Sequence, residues 1–126
     1  MKLLESRVRA EGHALDERVL LVDSFLNHQV DPELMLEIGK EFARLFADEA
    51  VTRVVTVESS GIAPATMTAL VMRLPLVIMK KYPKRRNQEG LLETEVYSFT
   101  KNQPYILTVK REFIHTGDRV LLIDDF

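Results

Sequence analysis

The run Val120-Leu121-Leu122-Ile123, entered from Asp118-Arg119 and left through Asp124-Asp125, narrows most sharply what this chain can fold into. Four branched apolar residues with no polar interruption leave no face for solvent, which predicts a strand buried on both sides within a parallel sheet. Two adjacent carboxylates at its end then stand at the sheet's carboxyl edge, where open α/β folds hold their ligands. Only Phe126 follows. A loop and a covering helix ordinarily come after such a strand, so the expectation is one incomplete domain over residues 1–126, with its C-terminal part missing.

The upstream sequence supplies neighbours for that strand. Residues 51–57 are β-branched and strand-like, residues 58–61 form a turn, and Pro64 sits where the first turn of a helix tolerates it. That helix is predicted to run to about Leu74, with a second buried strand over residues 76–79 parallel to the first, completing a βαβ unit. Before it, Asp31-Pro32-Glu33 reads as an N-cap, a first-turn proline and an early acid. Leu34, Met35, Ile38, Phe42, Leu45 and Phe46 continue it as a buried stripe to about Asp48. Residues 1–11 have the spacing of a short amphipathic helix stopped at Gly12, whereas residues 13–30 follow no single period.

Residues 80–90 break the pattern, with Lys80, Lys81, Lys84, Arg85 and Arg86 close to Pro83, Asn87 and Gly90, and predict a mobile basic loop. Two alternating stretches, residues 94–100 and 105–111, flank Lys101-Asn102-Gln103-Pro104 and predict an antiparallel hairpin. The last strand, residues 119–123, follows a turn at Thr116-Gly117-Asp118. The fold class is therefore α/β, a mainly parallel twisted sheet flanked by helices, with a hairpin excursion.

Charge and composition exclude several classes of function. Seventeen basic residues against 19 acidic ones give a net charge of -2, so no molecule-wide field favours nucleic acid or an anionic membrane, and an anionic ligand must be held locally. The absence of cysteine removes disulfides and thiolate chemistry and suits a reducing cytoplasm. Histidines at 13, 28 and 115 show no metal-ligand spacing, and His28 reads as an ordinary loop residue. No apolar run reaches signal-peptide or membrane-spanning length.

Four segments carry possible chemistry. Val57-Glu58-Ser59-Ser60-Gly61 joins a strand to a helix, so its backbone N–H groups can converge on an anion with the helix dipole behind them; taken alone, the same residues read more simply as a Ser-capped βα turn. It lacks both the Lys-Ser/Thr ending of a nucleotide P-loop and the Gly-x-Gly-x-x-Gly of dinucleotide folds. Asp124 and Asp125 are either a solvated strand end or a pair in which one accepts from a sugar diol while the other reaches a metal-bound water or a base, since neighbours on a strand point oppositely. The basic segment is either a solvated charge run or a flap that supplies Lys81 or Lys80 to a polyanion. Asp23-Ser24-Phe25-Leu26-Asn27-His28-Gln29 groups hydrogen-bonding side chains around one aromatic, as in a segment laid on a planar heterocycle or in a capped loop.

Together, Val22-Asp23-Ser24-Phe25-Leu26-Asn27-His28-Gln29, Val57-Glu58-Ser59-Ser60-Gly61-Ile62-Ala63-Pro64, Val96-Tyr97-Ser98-Phe99-Thr100-Lys101 and Val120-Leu121-Leu122-Ile123-Asp124-Asp125-Phe126 closely resemble the bacterial xanthine phosphoribosyltransferases. The last motif alone marks the wider type I phosphoribosyltransferase group; the first two narrow it. The resemblance implies transfer of ribose 5-phosphate from phosphoribosyl diphosphate to N9 of xanthine, giving xanthosine monophosphate and diphosphate in purine salvage. It implies Mg2+ carried with the diphosphate, a cytoplasmic homodimer, no nucleic acid and no membrane. By matching position, Leu20 and Asn27 would contact the purine from an N-terminal hood over residues 1–30 that covers a core over residues 31–126. Glu58, Ser59, Ser60 and Gly61 would cradle the diphosphate, Lys81 would reach the same group, and Asp124 and Asp125 would hold the ribose hydroxyls and orient the metal-bound substrate.

Two departures from the family pattern stand out. The loop and helix that bind the 5-phosphate after the last strand have no counterpart here, so a polypeptide ending at Phe126 is expected to turn over little. Tyr82-Pro83-Lys84-Arg85-Arg86 is more basic than the pattern and leaves the choice of lysine open. Another purine specificity, or a regulator that senses phosphoribosyl diphosphate, remains the alternative, although no DNA-binding helical module accompanies the motifs.

Overall fold

The computed structural model describes residues 1–98 and 101–125, leaving Phe99, Thr100 and Phe126 outside the described residues. The chain opens with α1 (Lys2–Glu11), which stops at Gly12 as expected, though Gly12 leaves it in an extended conformation (φ -73°, ψ 140°) and not a left-handed one. A two-stranded ribbon of β1 (His13–Ala14) and β2 (Leu20–Leu21) follows, then a single π-helical turn at Asp23–Asn27 that buries Phe25 and Leu26. Next comes α2 (Pro32–Leu45), whose first N–H groups are satisfied by Asp31: its side chain accepts from Glu33 and Leu34, each at 3.1 Å. The same carboxylate takes Arg7 Nη1 at 2.7 Å, and the Arg7 guanidinium lies 5.3 Å from the Phe25 ring centroid, so one arginine ties α1 to both later segments. Beneath it Val22, Phe25, Leu26, Leu34, Met35 and Ile38 form one buried cluster.

The main sheet begins with β3 (Arg53–Val57), passes through α3 (Ile62–Met72) and returns as β4 (Leu76–Tyr82), parallel to β3. The hairpin follows as β5 (Leu91–Ser98) and β6 (Gln103–Lys110), with β6 antiparallel to β4, and β7 (Val120–Ile123) closes the chain parallel to β3. Strand order is β5-β6-β4-β3-β7, a three-strand parallel core extended by the antiparallel hairpin. The helix ends two residues earlier than expected because Arg73 takes the left-handed conformation (φ 56°).

Three expectations are corrected. Lys80, Lys81 and Tyr82 belong to β4 and pair with Thr108, Leu107 and Ile106, so the basic segment starts as strand and not as loop. Beyond it, the N–H groups of Arg86 and Asn87 donate to Glu93 of β5, and the Arg86 guanidinium lies 4.7 Å from the Tyr82 ring centroid. In β7, Leu121 and Ile123 are buried against Ala65 and Ala69 of α3, while Val120 and Leu122, on the opposite face, are exposed among the described residues. Leu45 likewise leaves the buried stripe and is exposed, whereas Phe42 and Phe46 pack against the sheet cluster.

Register between β3 and β7 is fixed at their entry. Asp118 accepts the His115 N–H at 2.7 Å, the Thr52 hydroxyl at 2.9 Å and Arg53 Nε at 2.9 Å, and this bonding holds its carboxyl down at about pKa 2. Its contribution to stability is present above the ordinary carboxylate range and is lost as the pH falls toward that value.

α3 is buried along the faces it packs, at Pro64, Ala65, Thr68 and Ala69, while Thr66 and Leu70 are exposed: Ala65 and Ala69 meet Val54, Leu121 and Ile123 of the sheet, and another side meets α2. The contact with α2 is made at Gly39, where an added Cβ would lie 2.7 Å from the Met67 carbonyl carbon and 2.8 Å from the Thr68 nitrogen. Alanine in mid-helix gains about 1 kcal/mol of propensity over glycine. Overpacking against atoms that cannot rotate aside costs about 1–3 kcal/mol, and here those atoms are backbone. Gly39→Ala is therefore expected to lower stability, read as a lower urea midpoint at unchanged slope; a raised midpoint would mean that the helices separate freely.

Candidate functional site

Parallel strands β4, β3 and β7 end at one edge, and the side chains that follow them line an open polar cleft of about 700 Å³. From the β3–α3 connection come Glu58, Ser59 and Ser60; from β4 comes Lys81; from beyond β7 come Asp124 and Asp125. The Glu58–Ser59 peptide bond is cis. No serine side chain caps α3, which removes the plain capped-turn reading, and the N–H groups of Ser59, Ser60 and Gly61 meet no acceptor among the described residues. Unpaired amides at a helix start form a site for an anion.

Gly61 is buried beneath this loop and permits its approach to β7. A Cβ there would lie 2.5 Å from Thr56 Oγ1, 2.7 Å from Asp124 Oδ1 and 3.0 Å from Asp124 Cα. The glycine thus lets the acids stand directly beside the amide loop. β7 ends at Ile123, and Asp124 and Asp125, which follow it, both line the cleft. Burial pushes the Asp125 carboxyl above its ordinary range, the charge and hydrogen bonding of Asp124 push it further, and Lys81 opposes the shift.

Between the two possible lysines the geometry discriminates. The Lys81 ammonium faces the cleft and sits 5.4 Å from the Tyr105 ring centroid. Lys80 points elsewhere, its Nζ 3.6 Å from Glu58 Oε2. Glu58 also accepts the Lys81 backbone N–H at 2.6 Å through Oε1.

Four lining residues were given no role by the sequence: Tyr97, Ser98, Lys101 and Tyr105 of the hairpin. A signal existed. A strand antiparallel to β4 starts where β4 ends, which brings the preceding turn to the carboxyl edge. Phe99 and Thr100, in the same quoted motif, lie outside the described residues. Leu20 and Asn27 are not brought into this cleft: Leu20 is half-buried against the α2 cluster, and Asn27 is exposed at the end of the π-helical turn. His28 is exposed beside it.

No family model matches the chain. The xanthine phosphoribosyltransferase of Ligilactobacillus salivarius is 52% identical over all 126 residues, and that of Exiguobacterium sp. 55% identical over the same span. The chain spans 66% and 65% of their respective lengths. Among solved structures, the adenine-type enzyme of Giardia lamblia complexed with 9-deazaadenine superposes with a TM-score of 0.71 at 16% identity, over 91% of this chain and 64% of that one. The fold is that of the type I phosphoribosyltransferases.

The acid pair yields a direct check. Asp124→Asn removes a neighbouring charge but leaves the burial, so the Asp125 pKa is expected to fall while staying above the ordinary carboxylate range in a carbon-13 NMR titration; an unmoved value would exclude interaction between the two acids.

Proposed function

The chain belongs to the xanthine phosphoribosyltransferase family, and from that premise we propose that its protein transfers the 5-phosphoribosyl group from phosphoribosyl diphosphate to N9 of xanthine. The observation that carries this reading is the convergence of the amide loop, Lys81 and the Asp124–Asp125 pair on one cleft. In the transfer, the bond from ribose C1 to the diphosphate oxygen breaks, the bond from C1 to N9 forms, and the base gives up its N9 proton. Negative charge gathers on the departing diphosphate and positive charge on C1, so the useful protein groups are those that hold both.

In this reading the loop of Glu58, Ser59, Ser60 and Gly61 cradles the diphosphate through the unpaired amides of Ser59, Ser60 and Gly61, and Lys81 adds a full positive charge. Asp124 and Asp125 accept from the ribose hydroxyls and lie near the developing cation. A ligand that donates hydrogen bonds to them favours the ionised form that burial opposes in Asp125. No protein nucleophile is needed. Mg2+ fits as an ion brought by the substrate: it takes one or two carboxylates together with phosphate oxygens, and Asp124 and Asp125 are a pair of that kind, with no cluster of three metal-binding side chains among the described residues. When bound it would neutralise diphosphate charge.

The N-terminal segment, residues 1–30, is the proposed hood, and Leu20 and Asn27, which lie outside the cleft of Glu58, Lys81 and the acids, are its proposed purine contacts. A cytoplasmic homodimer completes the reading; no described helix is long and apolar enough to cross a membrane.

Two measurements test it. The intact gene product, offered xanthine, guanine, hypoxanthine and adenine in turn with phosphoribosyl diphosphate, is expected to release diphosphate selectively with xanthine; turnover of adenine alone removes the specificity. Asn27→Ala is expected to weaken xanthine binding by about 10-fold, the value of one hydrogen bond, and to leave phosphoribosyl diphosphate affinity nearly unchanged. Equal loss of both would locate the purine elsewhere.

A further inference from the structure

We infer that Glu58 is a positioning residue that holds Lys81 in place, and that its carboxylate does not itself contact the diphosphate. The inference deepens the proposed function and rests on it for the role of Lys81. Parallel pairing between β3 and β4 ends at Val57 and Met79, and the Glu58 N–H adds one more bond, to the Met79 carbonyl at 3.1 Å. There the backbone of β3 turns away into the loop, while β4 continues through Lys80, Lys81 and Tyr82 against β6 on its other side. The Lys81 N–H, on the abandoned side, would lack a partner. Glu58 Oε1 accepts it at 2.6 Å, so the side chain takes the place of the strand carbonyl that is no longer there.

The second carboxylate oxygen lies 3.6 Å from Lys80 Nζ. Both oxygens are therefore turned toward β4, and their charge is opposed by a cation outside the cleft. Oriented otherwise, a carboxylate at the mouth of an anion site would repel its ligand. The consequence reaches Lys81: its backbone is pinned by Glu58 from one side, and its ammonium lies 5.4 Å from the Tyr105 centroid on the other. Fixing the lysine's backbone before the ligand arrives removes part of the ordering cost of binding.

A direct contact and a positioning role make opposite demands on one variant. Removing a repelling carboxylate tightens anion binding, whereas releasing Lys81 weakens it. The test uses the unaltered protein, Glu58→Ala, Glu58→Gln, Lys81→Ala and the Glu58→Ala/Lys81→Ala double variant, each titrated calorimetrically with phosphoribosyl diphosphate, with exchange of the Lys81 amide followed by NMR. Glu58→Ala is expected to bind roughly 10-fold more weakly, from loss of a charged hydrogen bond, and to exchange the Lys81 amide faster. Glu58→Gln, whose side-chain carbonyl still accepts, is expected to recover most of both, and the double variant to bind no worse than Lys81→Ala. Tighter binding by Glu58→Ala, or fully additive losses in the double variant, would overturn the inference. If the unaltered protein binds no phosphoribosyl diphosphate, the functional reading fails by itself and exchange alone decides: faster exchange restored by glutamine supports positioning by Glu58, and unchanged exchange refutes it.

Discussion

The register between β3 and β7 is the constraint on which the cleft depends. Arg53 stands opposite Val120 and Thr56 opposite Ile123, and this spacing puts Asp124 above Gly61. A slip of one residue would turn Leu121 and Ile123 out of the core and carry the acids away from the amide loop. Both ends of the pairing resist that slip. At the entry, Asp118 gathers the His115 amide, Thr52 and Arg53; at the exit, the absence of a side chain at Gly61 leaves room for one arrangement of Asp124. Packing contributes the remainder, since α3 accepts only the buried face of β7.

The two ends differ in their electrostatics. Asp118 is held ionised by the groups around it, and its contribution vanishes only in strong acid. Asp125 is shifted in the opposite direction, so the stability linked to it is present below the ordinary carboxylate range and is lost as the pH rises through its folded value. One acid supports the fold and the other burdens it at neutral pH. Perturbed acids at a sheet's carboxyl edge, close to a second acid and a lysine, cluster at functional sites.

Much of this architecture was legible from local chemistry. Asp31-Pro32 marked the start of α2, the β-branched run marked β3, and the alternating stretches marked the hairpin, because each signal arises within a few residues of the structure it sets. The misreadings share a cause in distant partners. Lys80, Lys81 and Tyr82 carry the charge of a loop, yet pair as strand with residues more than 20 positions later. Val120 and Leu122 look like core until α3 is seen to pack on the opposite face of β7. Within the site, sequence placed the amide loop and the acids at strand ends, and β7 stops at Ile123, just before the acids. The role of Glu58 was invisible, since a carboxylate beside an anion loop suggests a ligand until its hydrogen-bond partner is known.

Moving Lys81 from a mobile loop to a strand also changes how the site operates. A loop lysine reaches its ligand by ordering several residues at once, each costing about 1–2 kcal/mol of backbone freedom. On β4 that cost is met during folding, through the β6 pairing and the Glu58 bond, and in the proposed transfer the diphosphate would order only the side chain's outer bonds. Electrostatic stabilisation of a leaving group depends on charges that need not rearrange as the bond breaks. The antiparallel hairpin thus serves the parallel core: by extending the sheet beyond β4 it gives Lys81 a second wall, and its own turn delivers Lys101 to the same cleft.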